Sequence, residues 1–350
     1  MVIPKRRMNA MDQYKKGRSS FQPPVSPVLT AWSSVAGKKE SEGPLGACFD
    51  KTDPDAYWGE KTYEQAESRM QKDALEILLR KGGLSETDIG LVFSGDLLNQ
   101  CVGSSFPLRN TGIPALGLYG ACSTMAESLL LALMAVGGGM TDTAVAMTSS
   151  HFASSERQYR FPLGYGGQRP PTAQWTVTGC GAALVRREGR GPRLEAATIG
   201  TITDWGLIDA TNMGAAMAPA ALSTLLTHFD DLGRSPKDYD MIVTGDLGQI
   251  GKELLQELAL KEGLQLGPRY EDCGCLIFDN TAQDVHAGGS GCGCSAAVLC
   301  GSLLDRMQRG ELHSLLFCGT GALLSPLSTQ QGLPIPGVCH AISILGGEGQ

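Results

Sequence analysis

The order of apolar and polar segments along the chain predicts two similar α/β halves. An apolar helix, a polar turn and a β-branched strand ending in Gly-Asp-Leu follow one another in ALEILLRKGGLSETDIGLVFSGDL, residues 74–97. The same order recurs in ALSTLLTHFDDLGRSPKDYDMIVTGDL, residues 221–247. Continuous apolar strands are typical of parallel sheets that are buried on both faces. We therefore expect an α/β protein with halves at residues 25–190 and 195–345, preceded by a basic, disordered tail at residues 1–24.

A cysteine lies where a short apolar strand should turn into a buried helix. The segment IPALGLYG precedes Cys122, and residues 125–136 are almost uninterruptedly apolar. At the N-terminus of a helix, backbone N–H groups lack partners and the helix dipole stabilises a thiolate. Cys122 is therefore either a nucleophile or a cysteine retained in a nucleophile's place.

Composition and charge narrow the class of protein. The chain has 350 residues, eleven cysteines and a net charge of −7, which argues against a nucleic-acid-binding protein. No apolar run approaches the roughly 18 residues of a membrane span, and no apolar signal segment opens the sequence, so a reducing compartment is expected.

The N-terminal segment is locally basic. It is interpreted either as a solvated tail or as an arm that touches anionic lipid, to which each basic residue adds about 1 kcal/mol.

Three glycine-rich motifs give the chain a family resemblance. GACST (residues 120–124), VTGCGAALV (residues 177–185) and GGSGCGCSAAV (residues 288–298) resemble the nucleophile turn, the glycine-rich strand and the G-H-P-x-G-x-S-G loop of the thiolase and ketoacyl-synthase superfamily. Longer motifs, among them GPLGACFDKT, SGDLLNQ and TSSHFASSERQYRFPLGYGGQRP, are similar to those of one family in this superfamily, the stage V sporulation AD (SpoVAD) proteins. The resemblance covers about residues 25–345 and implies a thiolase-like five-layer α/β/α/β/α fold. Cys122 and the glycine-rich loop should meet at one cavity.

The resemblance to the sporulation family implies a ligand rather than a reaction. It implies a non-catalytic, thiolase-like member of a spore membrane channel system that binds dipicolinic acid (pyridine-2,6-dicarboxylate) for uptake into the forespore and release at germination. It also implies a homodimer of cytosolic type, peripherally associated with the spore inner membrane, with other channel proteins as partners. No cofactor is expected, and calcium is expected only together with the ligand.

The chain departs from the thiolase pattern at the loop histidine, whose position is taken by Ser290. A cysteine nucleophile needs a base or a strongly lowered pKa, and condensation needs a group that takes a proton from carbon. A serine hydroxyl supplies neither, so Cys122 is expected to be a vestigial nucleophile. His286 and His151 are the candidate substitute bases, although a histidine satisfied by backbone partners is the commoner case. The alternatives are an active thiolase or 3-ketoacyl synthase that uses Cys122 as acyl nucleophile, and a purely structural scaffold subunit of the channel.

A flat dianion needs cations at its carboxylates and stacking or apolar walls. The segment that follows the strand TAVAMTSS offers both, although a solvated loop or a dimer contact would explain it equally well. The candidate ligand-binding residues are Cys122, His151, Arg157, Arg160 and Arg169, the stacking residues Tyr159 and Tyr165, and the hydroxyl donors Ser149, Ser150, Ser290 and Ser295. Asp96 and Asn99 lie at the carboxyl end of a strand, the usual rim of an α/β site, but Asp96 is also a candidate helix cap. Its counterpart in the second half, Asp246, is not followed by LLNQ, and this favours a structural role for Asp96.

Two C-x-C pairs raise one further alternative. Four thiolates from Cys273, Cys275, Cys292 and Cys294 would complete a tetrahedral zinc site. Structural zinc more often uses C-x2-4-C spacing, and both pairs lie in glycine-rich loops that the thiolase-like pattern already explains. No metal site is therefore expected.

Overall fold

A computed structural model describes residues 14–159 and 167–347. In these ranges the strands are β1 (Lys15–Lys16), β2 (Ser20–Phe21), β3 (Val28–Gly37), β4 (Lys51–Asp53), β5 (Leu91–Gly95), β6 (Ala115–Leu118), β7 (Thr143–Ser150), β8 (Trp175–Thr176), β9 (Gly179–Arg186), β10 (Arg193–Thr198), β11 (Met241–Thr244), β12 (Tyr270–Asp272), β13 (Gly289–Ser290), β14 (Ser314–Ala322) and β15 (Gly337–Leu345). The helices are α1 (Lys38–Ser41), α2 (Tyr63–Gly82), α3 (Val102–Leu108), α4 (Thr124–Gly137), α5 (Phe152–Tyr159), α6 (Met213–Leu232), α7 (Gly248–Lys261), α8 (Cys273–Leu276), α9 (Cys292–Val298), α10 (Leu304–Gln308) and α11 (Pro326–Gln330).

The two halves repeat one pattern of strand pairing. In the first half the strand order is β3-β9-β7-β5-β6, and in the second half it is β10-β15-β14-β11-β12. In each half two neighbouring pairs are parallel, β7-β5-β6 and β14-β11-β12, and the remaining neighbours are antiparallel. The halves adjoin where β10 pairs with β3 at Arg193 and Val28. The duplication predicted from the sequence echo is therefore present.

Five layers result from this arrangement. Helix α2 packs on the outer face of the first sheet, and α6 packs on the outer face of the second. Helices α4 and α9 lie between the sheets, where their side chains share one core with strands of both halves. Eleven of the fourteen residues of α4 are buried, which explains its almost continuous apolar sequence. The expected α/β/α/β/α layering is confirmed.

The N-terminal segment differs from the expectation. Residues 1–13 lie outside the described residues, but residues 14–24, which we assigned to the disordered tail, are ordered against the second half. Strand β2 pairs with β10, with Phe21 opposite Ala197. The carboxylate of Asp231 accepts hydrogen bonds from the backbone N–H groups of Arg18, Ser19 and Ser20, at 2.7, 2.8 and 2.9 Å. These contacts, which local charge patterning does not reveal, make residues 14–24 part of the fold. Across the described ranges, no helix combines the length and the apolarity that crossing a bilayer requires.

Candidate functional site

A cavity opens at the N-terminal end of the buried helix α4. Its empty space is about 440 Å³, including the solvent at its mouth. The backbone turns sharply before the helix, and Ala121 takes a positive φ of 52° that places Cys122 at the cavity wall. The described lining residues are Leu97, Ala121, Cys122, Ser155, Glu156, Tyr159, Thr176, Met213, Ser290, Ala322 and Leu324. Both halves therefore contribute to the cavity.

Cys122 and Ser290 meet at this cavity, as the resemblance implied. Ser290 is placed by the short parallel ladder of β8 and β13, in which the Val177 N–H donates to the Ser290 carbonyl at 2.9 Å. The chain then turns into α9 at Gly291, whose φ is 101°. A side chain on Gly291 would come within 2.7 Å of the Ser150 hydroxyl, so only glycine fits this turn. The prediction that the two segments converge is confirmed.

The carboxylate of Asp246 lies directly behind Cys122 and Ser290. It accepts hydrogen bonds from the Gly291 N–H at 2.8 Å, the Thr320 hydroxyl at 2.9 Å and the Ser290 hydroxyl at 3.3 Å, and it is also hydrogen-bonded to the Cys122 thiol. Its side chain is fully buried. Burial raises the pKa of Asp246 to about 6, against the lowering effect of these four donors. The second Gly-Asp-Leu therefore belongs to the site.

The Cys122 thiol is held in its neutral form. Burial raises the pKa of Cys122 well above that of an ordinary thiol, and the charge of Asp246 raises it further. The Gly291 N–H and the Ser290 hydroxyl oppose these effects only in part. The helix N-terminus, which should favour a thiolate, is thus outweighed by burial and by a neighbouring carboxylate.

One wall of the cavity is made by Tyr159 at the end of α5. Its hydroxyl donates to the Leu97 carbonyl and contacts the hydroxyl of Tyr119. Burial raises the pKa of Tyr159, with Tyr119 adding to the effect. The ring therefore presents a fixed, neutral aromatic surface to the cavity. Of the sequence-predicted ligand residues, the structure brings Cys122, Tyr159 and Ser290 together at the cavity lining.

The other predicted hydroxyl donors lie behind the cavity wall. Ser149 donates to Glu67 at 2.9 Å, Ser150 donates to the Val177 carbonyl at 2.7 Å, and Ser295 donates to the Cys292 carbonyl at 3.3 Å. All three serines are fully buried. Each of the three hydroxyl groups therefore already donates its hydrogen bond to another group of the protein.

Two of the predicted cations have protein partners away from the lining. Arg157 is paired with Glu64 and lies over the ring of Tyr63. Arg169 donates to the Asp284 carbonyl at 3.1 Å and lies 4.7 Å from the ring centre of Trp175. Arg160 and Tyr165 fall outside the described residues. Over residues 14–159 and 167–347, no lysine or arginine lines the cavity, whereas Glu156 does.

The residues of the first Gly-Asp-Leu lie in structural roles. Asp96 accepts from the N–H groups of Leu98 and Ser104 and from the Ser104 hydroxyl, all at 2.7 Å. It therefore fixes the loop that leads into α3, although the N-cap position of that helix is Cys101 and not Asp96. Asn99 is exposed, and its side chain accepts from the Tyr119 hydroxyl at 3.1 Å, outside the lining. Asp96 and Asp246, which follow equivalent strands in the two halves, thus have different surroundings.

Neither candidate base reaches Cys122. His151 is buried, with Nδ1 accepting from the Ala153 N–H at 3.1 Å and Nε2 donating to the Ala56 carbonyl at 2.8 Å. Burial lowers the pKa of His151, which keeps the ring neutral. His286 lies 3.5 Å from Asp284 and does not line the cavity. The four cysteines of the zinc alternative do not converge either, because the described residues hold no group of three or more ligands that could bind a metal ion.

The sequence pattern missed most of the lining. Asp246 was not among the candidate ligand-binding residues, although its Gly-Asp-Leu, repeated at the end of an equivalent strand, was the available signal. Thr176, Met213 and Leu324 were not named as candidates either. They reach the cavity because three separate segments converge there.

Comparison with solved structures identifies the class of protein. The fold is similar to that of 3-oxoacyl-[acyl-carrier-protein] synthase III from Aquifex aeolicus VF5, with a TM-score of 0.54 and 14% identity over 91% of this chain and 99% of that one. The corresponding synthase from Pseudomonas aeruginosa PAO1 gives a TM-score of 0.57 and 14% identity over 92% and 99% of the two chains. OleA from Xanthomonas campestris gives 0.53 and 14% over 94% and 97%. The chain thus has the thiolase-like fold of these proteins.

Sequence comparison then identifies the family. The model of the family Stage V sporulation protein AD (SpoVAD) matches residues 17–345. The chain is also 42% identical over 322 residues to the Stage V sporulation protein AD of Bacillus subtilis (strain 168), covering 92% of this chain and 94% of the relative. The chain belongs to the SpoVAD family of sporulation proteins.

Proposed function

We propose that the chain is a non-catalytic, thiolase-like protein whose cavity binds dipicolinic acid for uptake into the forespore and release at germination, as part of a spore membrane channel system. The observation that supports this proposal is the carboxylate of Asp246, which is hydrogen-bonded to the Cys122 thiol and to Ser290. A cavity is retained at the position of a thiolase nucleophile, but the groups around the cysteine oppose its ionisation.

The electrostatics of the site argue against acyl transfer. The pKa of Asp246 is about 6, whereas the pKa of the Cys122 thiol is raised well above its ordinary value. A histidine that takes the proton of a thiol becomes a cation that stabilises the thiolate, whereas Asp246 becomes neutral, so Asp246 is a poor substitute for the missing histidine. Its negative charge also disfavours the thiolate directly.

The polar and aromatic lining of the cavity suits a small, flat molecule. Dipicolinate is flat, and its two carboxylates accept hydrogen bonds. Calcium that enters together with the ligand would coordinate the same carboxylates. The ring of Tyr159 and the hydroxyls of Thr176 and Ser290 then provide an aromatic wall and polar contacts for a small flat molecule.

Titration calorimetry with dipicolinate, with and without calcium, tests this function. We expect saturable binding of dipicolinate, and an affinity that changes with calcium would show that the cation enters together with the ligand. Cys122→Trp should abolish binding by filling the cavity, whereas Cys48→Trp, at an exposed position, should leave it unchanged. Wild-type binding that survives Cys122→Trp would place the ligand elsewhere, and no binding by the wild-type protein would favour the scaffold alternative.

Incubation with acyl-coenzyme A tests the enzyme alternative separately. Intact-mass spectrometry should find no acyl group on the protein, because the Cys122 thiol is neutral and lacks a suitable base. An added acyl mass that disappears in Cys122→Ala would establish the thiolase or synthase alternative. Cys122→Ala should leave the calorimetric binding of dipicolinate largely intact.

We further propose that the protein is a homodimer that associates peripherally with the spore inner membrane and with other channel proteins. Strand β6 is the edge of the first sheet, and its residues Ala115, Leu116 and Gly117 are exposed. Leu116 and Tyr119 are 53% and 50% exposed, which is unusual for apolar side chains at an open strand edge. Pairing of two β6 strands would cover both the edge and these side chains.

A further inference from the structure

A second, larger groove lies at the other end of α4 from the ligand cavity. It is formed by residues 14–24, the last turn of α4 and the segment after β10, and it encloses about 940 Å³, including solvent at its open side. Phe21, Pro23, Pro24, Met134 and Ile199 give it an almost wholly apolar surface. Met134 and Ile199 are 45% and 43% exposed there. The site already described does not account for this groove.

A small polar pocket continues the groove at one end. The two share Arg18, Ser19 and Ile199, and beyond them the pocket is lined by hydroxyl side chains, including Thr201 and Ser223. The combined shape is an apolar channel that ends in one guanidinium group and several hydroxyls. This arrangement matches a molecule with a long apolar part and an anionic head.

The rim of the groove is basic. Lys15 and Arg18 line it and are exposed, and Lys16 is adjacent in β1. Within residues 14–159 and 167–347, none of these three side chains makes an ion pair. The carboxylate of Asp231 accepts hydrogen bonds from three backbone N–H groups of the same segment. Basic side chains around an exposed apolar surface are the pattern of a protein face that binds anionic bilayers.

We infer that this groove binds an anionic phospholipid of the membrane surface, with an acyl chain against Met134 and Ile199 and the phosphate at Arg18. The inference rests on the proposed peripheral membrane association and names the surface responsible, but it does not depend on dipicolinate binding. The apolar lining provides the affinity for the chain, and the basic rim selects for negative charge. Residues 1–13 carry further basic side chains, which would add to the attraction.

Vesicle co-sedimentation of the full chain tests the inference. Vesicles that contain phosphatidylglycerol should bind the wild-type protein, and vesicles of phosphatidylcholine alone should bind it weakly. Ile199→Asp should abolish binding, and the double variant Lys15→Gln, Arg18→Gln should weaken it about 25-fold, from about fivefold per basic residue. The matched controls Leu260→Asp and Lys261→Gln, at exposed positions on α7, should bind like the wild type.

Two outcomes would overturn the inference. One is equal binding to the two kinds of vesicle, and the other is undiminished binding by Ile199→Asp. A variant that lacks residues 1–13 should keep its sensitivity to Ile199→Asp, because the groove itself begins at Tyr14. If instead that deletion alone removed all binding, the N-terminal segment and not the groove would be the lipid contact. Calorimetry with dipicolinate on each variant checks folding and separates failure here from failure of the proposed function.

Discussion

Replacing Asp246 by asparagine should change how the stability of the protein depends on pH. Burial raises the pKa of Asp246 from its ordinary 3.8 to about 6. The carboxyl therefore stays protonated in the folded protein at pH values where it is already ionised in the unfolded chain, and stability is lost as the pH rises through 6. Each pKa unit corresponds to about 1.36 kcal/mol, so this group should lower the free energy of unfolding by about 3 kcal/mol between about pH 4 and pH 7.

Urea unfolding at a series of pH values measures this effect. The amide of Asp246→Asn does not titrate, so the stability advantage of the wild type over this variant should shrink by about 3 kcal/mol over the same range. Glu40, whose pKa burial raises to about 7, titrates in both proteins and cancels in the difference. The control Asp230→Asn, at an exposed position on α6, should give a curve parallel to the wild type. Parallel curves for the wild type and Asp246→Asn would refute the reasoning.

Three further predictions follow from other parts of the structure. Peptide-resolved alkylation with iodoacetamide at neutral pH should label Cys122 at least about tenfold more slowly than exposed Cys48, because each unit of raised pKa lowers the thiolate fraction tenfold. Equal rates of labelling would contradict a neutral Cys122 thiol. Asp96→Ala should lower the free energy of unfolding, measured in urea, by about 3 kcal/mol, since it leaves buried N–H groups before α3 without an acceptor. A decrease below about 1 kcal/mol would show that water replaces the carboxylate. If the protein forms the proposed dimer through β6, Leu116→Asp should give a monomer in light scattering, whereas Leu327→Asp, at an exposed position on α11, should not.

The layered fold was predictable because the local order of apolar and polar residues in the sequence indicates it. The repeated helix, turn and strand of residues 74–97 and 221–247 reports two similar halves, and the apolar sequence of α4 reports a helix buried on all sides. The meeting of Cys122 with Ser290 was expected from the resemblance of their two glycine-rich turns to the nucleophile turn and the glycine-rich loop of thiolases.

The surroundings of the cavity were not predictable in the same way. The role of Asp246 depends on donors from Gly291 and Thr320, which are distant in sequence. Arg157 was expected at a ligand but is paired with Glu64, a helix residue 93 positions away. Partner choice among charged side chains is decided by tertiary geometry, and a single sequence contains no direct signal for it.

The ladder of β8 and β13 has a mechanical consequence. It joins the two halves beside the cavity, through hydrogen bonds of 2.8 Å from Trp175 to Gly288 and 2.9 Å from Val177 to Ser290. Separating the two halves would break these hydrogen bonds, so the width of the cavity beside the ladder is nearly fixed. A molecule that is too wide for this part of the cavity is therefore excluded by the backbone of the two strands, whatever chemical groups it carries.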